Sequence, residues 1–451
     1  MVRGTPLRSG NHHSIRASVH MTPAARIEAS VALLTAIEDS PARPADAVAN
    51  DFFRARRYIG SGDRRAVSDR VWRILRRRRR LIWWLARAEA APTPRRLIAA
   101  SLLLEGWTLT GVAQAFSGGR FAPAPLERRE EVALRNLESH TLDHPSMPDA
   151  VRLEIPDWLL PILADRFGAA LTTELVALSE PAPLDLRVNT LKATRDQART
   201  ALADEQIDAE CTLLSPWGLR IEARRPLTSG KAFQSGVVEI QDEGSQLVAL
   251  LTDAQPGMRV CDYCAGAAGK TLALAAAMQN RGQIVACDTS AARLDNATGR
   301  LRRAGVHNVE RHLLASGDKW PKRHAGGFDR VLVDAPCTGT GTWRRNADAR
   351  HRLTETDLAE LLLRQAAILC DAARLVRTGG HLVYATCSLL PAENEAQVLQ
   401  FIAGHHGFSL IPLERAWPLA GPPPCPGDFL VLTPARHGTD GFFAAVLERS
   451  A

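Results

Sequence analysis

Along the first third of the chain, apolar residues recur at spacings of three and four. AARIEASVALLTAI, introduced by Thr22-Pro23, predicts a helix capped by Thr22 with Pro23 at its first position. DRRAVSDRVWRILRRRRRLIWWLARA keeps the same period, with Val67, Val71, Ile74 and Leu75 on one side and arginines on the other. RRLIAASLLLEGW is a third helix. The expectation is an all-helical domain with a basic face over residues 22–145, with Trp72, Trp83 and Trp84 in its core. Pro, Gly and Ser thicken between Gly118 and Pro125 and again over His144–Pro148, which predicts a linker.

Residues 150–235 mix the two periods. Two helical stretches lead into short strands, PLDLRVNT and WGLRIEA, with a helix at RDQARTALADE between them, so this is a small α+β domain. Over 236–451, strand and helix alternate. MRVCDYCA, GQIVACD, FDRVLVDAP and GGHLVYATC are apolar runs that each end in a polar residue, and helical patterns separate them. That alternation predicts a doubly wound, Rossmann-like α/β domain built on a parallel sheet. The fold class is therefore multi-domain: N-terminal all-α, small α+β, C-terminal α/β. Such sheets bind ligands beyond the carboxyl ends of their strands. The strand ends here carry Cys264, Asp288, Asp334 and Cys387.

A length of 451 residues fits two or three domains. No apolar run approaches the roughly 20 residues that span a bilayer, so the expectation is a soluble, cytoplasmic protein with no membrane partner. Residues 1–21 are set aside as an extension expected to be disordered. They begin MVRGTPLRSGNHHSIRASVH, which is basic, lacks acids and resembles a transit peptide, although an upstream start codon before Met21 is the simpler explanation. The net charge of +7 is unevenly spread. Residues 1–150 hold 24 Arg, no Lys and 15 acids, a net of +9, whereas the remainder holds 32 bases and 34 acids, a net of −2. The positive field is densest at Arg76–Arg80 and suits a polyanion. Eight scattered cysteines point to a reducing compartment rather than a disulfide framework. The Cys261/Cys264 CxxC has no second CxxC or His pair to complete a metal site, and no metal is expected.

The first strand of the α/β domain runs into Asp262-Tyr-Cys-Ala-Gly-Ala-Ala-Gly-Lys-Thr271, whose small residues let backbone approach a ligand. Asp288 follows Gly269 by 288 − 269 = 19 residues, the spacing of a carboxylate that accepts from ribose hydroxyls. Together they indicate an adenosine-type cofactor. A P-loop is the rival reading of GAAGKT, but that loop requires glycine where Cys264 stands. Cys337 follows the third strand in Asp-Ala-Pro-Cys, and Cys387 ends the fourth in Thr-Cys-Ser. Neighbouring strand ends would bring them into one cleft. Methylation of cytosine carbon 5 needs such equipment. A thiolate adds to carbon 6 to make carbon 5 nucleophilic, a base removes the carbon 5 proton, and an acid such as Asp334 stabilises the adduct. Cys211, Cys287, Cys370 and Cys425 read as core thiols.

IQDEGSQ, DYCAGAAGKT, ACDTSAARL, RVLVDAPCTGTGTWRRN, YATCSLLPAENE and GTDGFFAAVL resemble the Sun-type RNA cytosine-5 methyltransferases. The nearest resemblance is to the bacterial ribosomal RNA enzymes whose N-terminal domain is like the antitermination factor NusB, and it covers residue 22 to the C-terminus. It implies a class I methyltransferase domain that uses S-adenosylmethionine. Cys387 would be the nucleophile and Cys337 would assist product release. Cofactor contacts would come from Cys264, Ala265, Gly266, Ala267, Ala268, Gly269 and Lys270, with Asp288 on the ribose and Arg293 nearby. Asp318 would face the adenine, Asp334 would lie between cofactor and base, and Lys270 would touch the target base. One departure stands out: the family's Ala-Pro-Gly-Gly-Lys is Gly-Ala-Ala-Gly-Lys here, which leaves the loop's backbone geometry open.

The expected substrate is RNA, ribosomal before transfer RNA by the resemblance, with a single-stranded or flipped-out cytosine. Arg344 and Arg345 are candidates for flanking phosphates. No obligate protein partner is evident. A non-catalytic RNA-binding assembly factor is an alternative, as is a DNA methyltransferase, in which the Pro-Cys thiol, Cys337, would attack instead.

Overall fold

The structure, a computed structural model, describes residues 21–222, 227–315 and 317–450. The basic stretch at residues 1–20 lies outside them. The chain divides into two compact units, Met1–Met147 and Pro148–Ala451.

The described part of the first unit is helical: α1 Pro23–Glu38, α2 Ala45–Ala55, α3 Ser61–Arg76, α4 Arg78–Arg87, α5 Pro94–Leu104, α6 Leu109–Ala115 and α7 Arg128–Arg135. Thr22 caps α1 by accepting from the Ala25 N–H. The long helix expected after Asp63 is two, broken at Arg77. Five consecutive arginines put like charges at i and i+4 there, which weakens a helix. Val67, Val71, Ile74 and Leu75 are buried. Of the three tryptophans only Trp84 is core, donating through Nε1 to the Leu142 carbonyl at 2.8 Å. Trp72 and Trp83 are half-buried, and the Arg87 guanidinium sits 4.9 Å over the Trp83 ring.

The second unit opens with helices Leu159–Phe167 and Leu171–Ser179. A small antiparallel sheet follows, made of β1 Leu184–Val188, β2 Glu210–Cys211, β3 Gly218–Ile221 and β4 Val238–Ile240 in the order β2-β3-β1-β4. Helix Arg195–Ala203 lies between β1 and β2 in the chain and contributes Ala198 and Leu202 to this sheet's core. β4 joins this sheet, although it lies in the stretch read as the start of the α/β domain.

The large sheet holds β5 Arg259–Asp262, β6 Gln283–Asp288, β7 Val309–Leu313, β8 Phe328–Asp334, β9 Val376–Thr386, β10 Phe408–Ile411, β11 Leu430–Leu432 and β12 Phe442–Arg449. Its order is β10-β12-β9-β8-β5-β6-β7, with β11 paired to β12. β7, β6, β5, β8 and β9 run parallel, while β12 is antiparallel to both β9 and β10. Strand order reverses beside β5, so the carboxyl ends of β5, β6 and β8 open onto a topological switch point. The residues facing both sheet surfaces, Val260, Ile284, Val331, Leu332, Val333, Leu382 and Val383 among them, are fully buried. The helices before the small sheet pack Leu159, Leu163, Leu175 and Leu178 against Trp343, Leu389 and Leu390, which lie just beyond the two cysteines. No helix among the described residues is long and apolar enough to cross a membrane.

Candidate active site

Four of the side chains singled out from the sequence meet at the carboxyl ends of β5, β8 and β9. β8 and β9 are neighbours in register, Asp334 opposite Ala385. The loops that follow them place the Cys337 and Cys387 sulfurs 3.4 Å apart, both half-buried. Lys270, in the first turn of helix Gly269–Ala277, reaches Asp334 with Nζ to Oδ2 at 2.5 Å. Burial opposes the Lys270 ammonium, but Asp334 beside it and the nearby Cys387 and Asp262 raise its pKa overall. Lys270 therefore keeps its charge inside the cleft.

The loop from Cys264 to Lys270 is clamped on several sides. The Tyr263 N–H donates to the Leu332 carbonyl and that of Ala265 to the Cys287 carbonyl, each at 2.8 Å. Asp288 accepts from the Gly266 N–H and the Ser290 N–H, both at 2.8 Å. The loop's carbonyls are held by two guanidiniums that the sequence reading passed over. Arg300 donates to Ala267 O at 2.7 Å and Arg187, from β1, to Gly269 O at 2.8 Å. Burial pushes the Arg187 pKa down to about 10, with Glu239 opposing. A charged residue inside the apolar run LDLRV was the available signal.

Ala268, where the resembled family has glycine, adopts φ +63° and precedes the helix in a left-handed conformation. Its methyl is buried against Leu272, Ala297 and Leu301. The strain of a left-handed alanine, about 1–2 kcal/mol, is thus opposed by burying one methyl, about 0.8 kcal/mol. Ala268→Gly is expected to change stability by less than about 1 kcal/mol, because relief of the strain is offset by the lost methyl and by glycine's greater backbone entropy. Ala275→Gly, an equally buried methyl in regular helix, should cost about 1.5–2 kcal/mol, combining helix propensity with lost burial. Denaturant midpoints of the two variants check the difference, and equal costs would show that the loop is relaxed.

Asp262, at the end of β5, is fully enclosed. Its Oδ2 accepts from Thr271 Oγ1 at 2.7 Å, while Oδ1 is buried without a hydrogen-bond partner. Burial pushes its pKa up to about 7, against the Thr271 hydrogen bond. Asp318, after β7, is engaged by His312 Nε2 at 2.6 Å and the Trp320 N–H at 2.8 Å, and these hydrogen bonds hold its carboxyl below the usual range. Arg293 lies exposed on the first turn of helix Ala291–Ala304. Burial pushes the Cys264 thiol pKa upward. Its CxxC partner Cys261 is fully buried, with its sulfur 4.0 Å from Cys287.

Arg344 and Arg345, the candidates for flanking phosphates, are engaged by carboxylates of the protein itself. Arg344 Nε meets Asp440 at 2.5 Å, and Arg345 bridges Asp440 at 2.5 Å and Asp242 at 2.8 Å. Arg344 is buried and also approaches Asp242 at 3.4 Å. Two enclosed carboxylates need cationic partners, so these guanidiniums tie TWRRN to IQDEG and GTDGF.

The sequence reading also missed Glu393, at the end of a short turn Pro391–Glu393 and fully buried. Its carboxylate accepts from the Thr338 N–H and Gln365 Nε2 at 2.8 and 2.9 Å, from Thr338 Oγ1 at 2.5 Å, and from Ser388 Oγ. It therefore bridges the residues that follow both cysteines.

Comparison with known proteins gives this geometry a lineage. Residues 249–448 match the family described as 16S rRNA methyltransferase RsmB/F, and residues 155–228 match its RsmF/B-like ferredoxin-like domain. "Probable ribosomal RNA small subunit methyltransferase B" of Synechocystis is 35% identical over 314 residues, 68% of this chain and 70% of that protein. "Ribosomal RNA small subunit methyltransferase B" of Vibrio vulnificus is 32% identical over 351 residues, 77% of this chain and 78% of that protein. The crystal structure of PH0851 shares the fold with a TM-score of 0.78 at 24% identity, covering 95% of this chain and 99% of that one. A Rossmann-like domain with a ferredoxin-like domain before it, matched at this identity and coverage, assigns the chain to the RsmB/F family of ribosomal RNA methyltransferases.

Proposed function

We propose that this protein transfers a methyl group from S-adenosylmethionine to carbon 5 of a cytosine in small-subunit ribosomal RNA through a transient bond to Cys387. The observation that carries the reading is the pair of thiols 3.4 Å apart, beside a Lys270–Asp334 ion pair and next to a clamped small-residue loop. Methylation of an exocyclic nitrogen or a ribose oxygen has no use for two facing thiols, whereas carbon 5 of a pyrimidine needs a nucleophile and a base.

The residues present fit the cofactor. Asp288 ends β6, where ribose hydroxyls would be accepted, and the Asp262 Oδ1 orphaned at the β5 end suits a donor such as the ligand's ammonium. S-adenosylmethionine bound there supplies a sulfonium methyl that a nucleophilic carbon can take. The chain's own groups do the rest. Cys387 adds as thiolate to carbon 6, and the electron pair of the 5,6 double bond becomes available at carbon 5. The Lys270 ammonium, held in place by Asp334, stabilises the negative charge that develops on the ring. When carbon 5 has been methylated, its proton must leave. Cys337, ionised once the Cys387 charge is used in the carbon–sulfur bond, takes that proton, and Cys387 departs as thiolate. The basic helical unit supplies sequence-independent affinity for RNA.

The test is to incubate the protein with methyl-labelled S-adenosylmethionine and small-subunit ribosomal RNA lacking the modification, with transfer RNA in parallel, and to digest to nucleosides. Label in 5-methylcytidine from ribosomal RNA is expected. Label in another nucleoside, or in transfer RNA alone, overturns the reading.

A further inference from the structure

Two thiols 3.4 Å apart cannot both ionise, because the second negative charge would face the first at contact distance. Something must decide which sulfur carries the charge. The surroundings are lopsided. The Lys270 ammonium lies on the Cys387 side and responds to the charge of that sulfur. Glu393 bridges both loops but leans on the Cys337 one: three of its four donors are the Thr338 N–H, Thr338 Oγ1 and Gln365 Nε2, which also donates to the Pro336 carbonyl, the fourth is Ser388 Oγ, and all are neutral groups. No lysine or arginine pairs with it among the described residues. No cation therefore offsets a charge on this buried carboxyl, where screening is weak.

We propose that Glu393 is a positioning residue that keeps Cys337 as a neutral thiol in the resting enzyme, so that Cys387 is the sulfur that attacks. The hydrogen bond to Cys387, burial and the Glu393 charge all push the Cys337 thiol upward. The other titratable groups around the pair are Tyr384, which responds to Cys337, and Asp334 and Asp262, which surround Lys270. The same carboxylate has a geometric task. By binding Thr338 and Ser388, the residues immediately after the two cysteines, it fixes the separation of the sulfurs. The larger part of the bias, which comes from Cys387 itself, ends when the adduct forms. Once Cys387 is bonded to carbon 6, the nearest anion to Cys337 is gone, and Cys337 can ionise in turn to act as base. This inference rests on the reading of Cys387 as nucleophile, and its test runs without RNA or cofactor, so that the two can fail separately.

Glu393→Gln removes the charge and keeps the shape. The amide oxygen can still accept from the Thr338 N–H and Gln365, and the amide nitrogen can donate to the Thr338 and Ser388 hydroxyls, which turn to accept. The full-length protein, wild type and variant, is treated with limiting iodoacetamide, and each cysteine peptide is quantified by mass spectrometry, with thermal melting as the check of folding. Wild type is expected to label Cys387 at least about tenfold faster than Cys337, and the variant to narrow that ratio by about tenfold, the effect of roughly one unit of relative thiol acidity. An unchanged ratio in a folded variant overturns the proposal, as does wild-type labelling that favours Cys337. Should the variant not fold, wild type alone decides. Cys337 labelling must rise only at more alkaline pH than Cys387 labelling, and coincident or reversed onsets overturn it. A normal ratio without 5-methylcytidine in the transfer assay would instead locate the failure in the reaction assignment.

Discussion

Cys387→Ala is expected to lower methyl transfer by about 10⁴- to 10⁶-fold, the scale on which covalent enzymes lose activity when the nucleophile is removed. The fold should survive, because the side chain is half-buried and the loop is held by other groups. The Gly341 N–H donates to Cys387 O at 2.9 Å, and the Ser388 N–H donates to Thr386 Oγ1 at 3.1 Å. Neither contact involves the sulfur. Cys337→Ala should behave differently. With its proton acceptor gone, the adduct forms and breaks down slowly, so protein and RNA remain joined on a denaturing gel. The double variant should form no adduct. Turnover and gel together read the assignment: an adduct that persists in Cys387→Ala and vanishes in Cys337→Ala would exchange the roles and make the Pro-Cys thiol the attacker, as in the DNA-enzyme alternative.

The parts of this site that were legible in the sequence share one physical cause. A central parallel strand is buried on both faces, so it appears as an apolar run, and whatever polar residue ends it stands at the functional edge. VACD, VLVDAPC and VYATC announce Asp288, Asp334, Cys337 and Cys387 in that way. β7 gave no such signal, since VERHL lies near the sheet edge with most of its residues exposed or half-exposed. β10 and β11 were missed because they are short, FSLI and LVL. The internal partners of Arg344 and Arg345 were hidden for a different reason. In a sequence, adjacent arginines beside a glycine-rich loop look like free cations, and nothing local reveals Asp242 and Asp440, about a hundred residues away on either side. Glu393 was hidden by the same ignorance of partners. An acid in PAENE reads as a solvated turn until the fold folds Thr338 and Ser388 over it. Buried ionic and hydrogen-bonded groups depend on long-range pairing, which periodicity does not encode.

Gly341→Ala should be a damaging single-methyl change next to the thiol pair. A Cβ built on Gly341 falls 2.3 Å from the Gly441 carbonyl oxygen and 2.7 Å from its Cα. Those atoms are backbone, so no side chain can swing aside. The two glycines are also stapled, the Gly441 N–H donating to Gly341 O at 2.8 Å. Admitting the methyl requires the segments to part by about 1 Å to reach ordinary contact, which breaks that hydrogen bond and pulls on Cys387 O. A stability loss of about 2–3 kcal/mol is expected from the overpacking, and a loss of turnover of about 10²-fold from misplaced reacting groups. Gly299→Ala is the control: it lies in the helix Ala291–Ala304 with no atom within 4 Å of a built Cβ, and should stabilise by about 0.5–1 kcal/mol through helix propensity. Denaturant midpoints and turnover of both variants decide the matter. If Gly341→Ala melts and turns over like Gly299→Ala, the close approach of TGTG to GTDG does not hold the thiol pair in register, and the separation of Cys337 and Cys387 must be set by Glu393 and its hydroxyl partners alone.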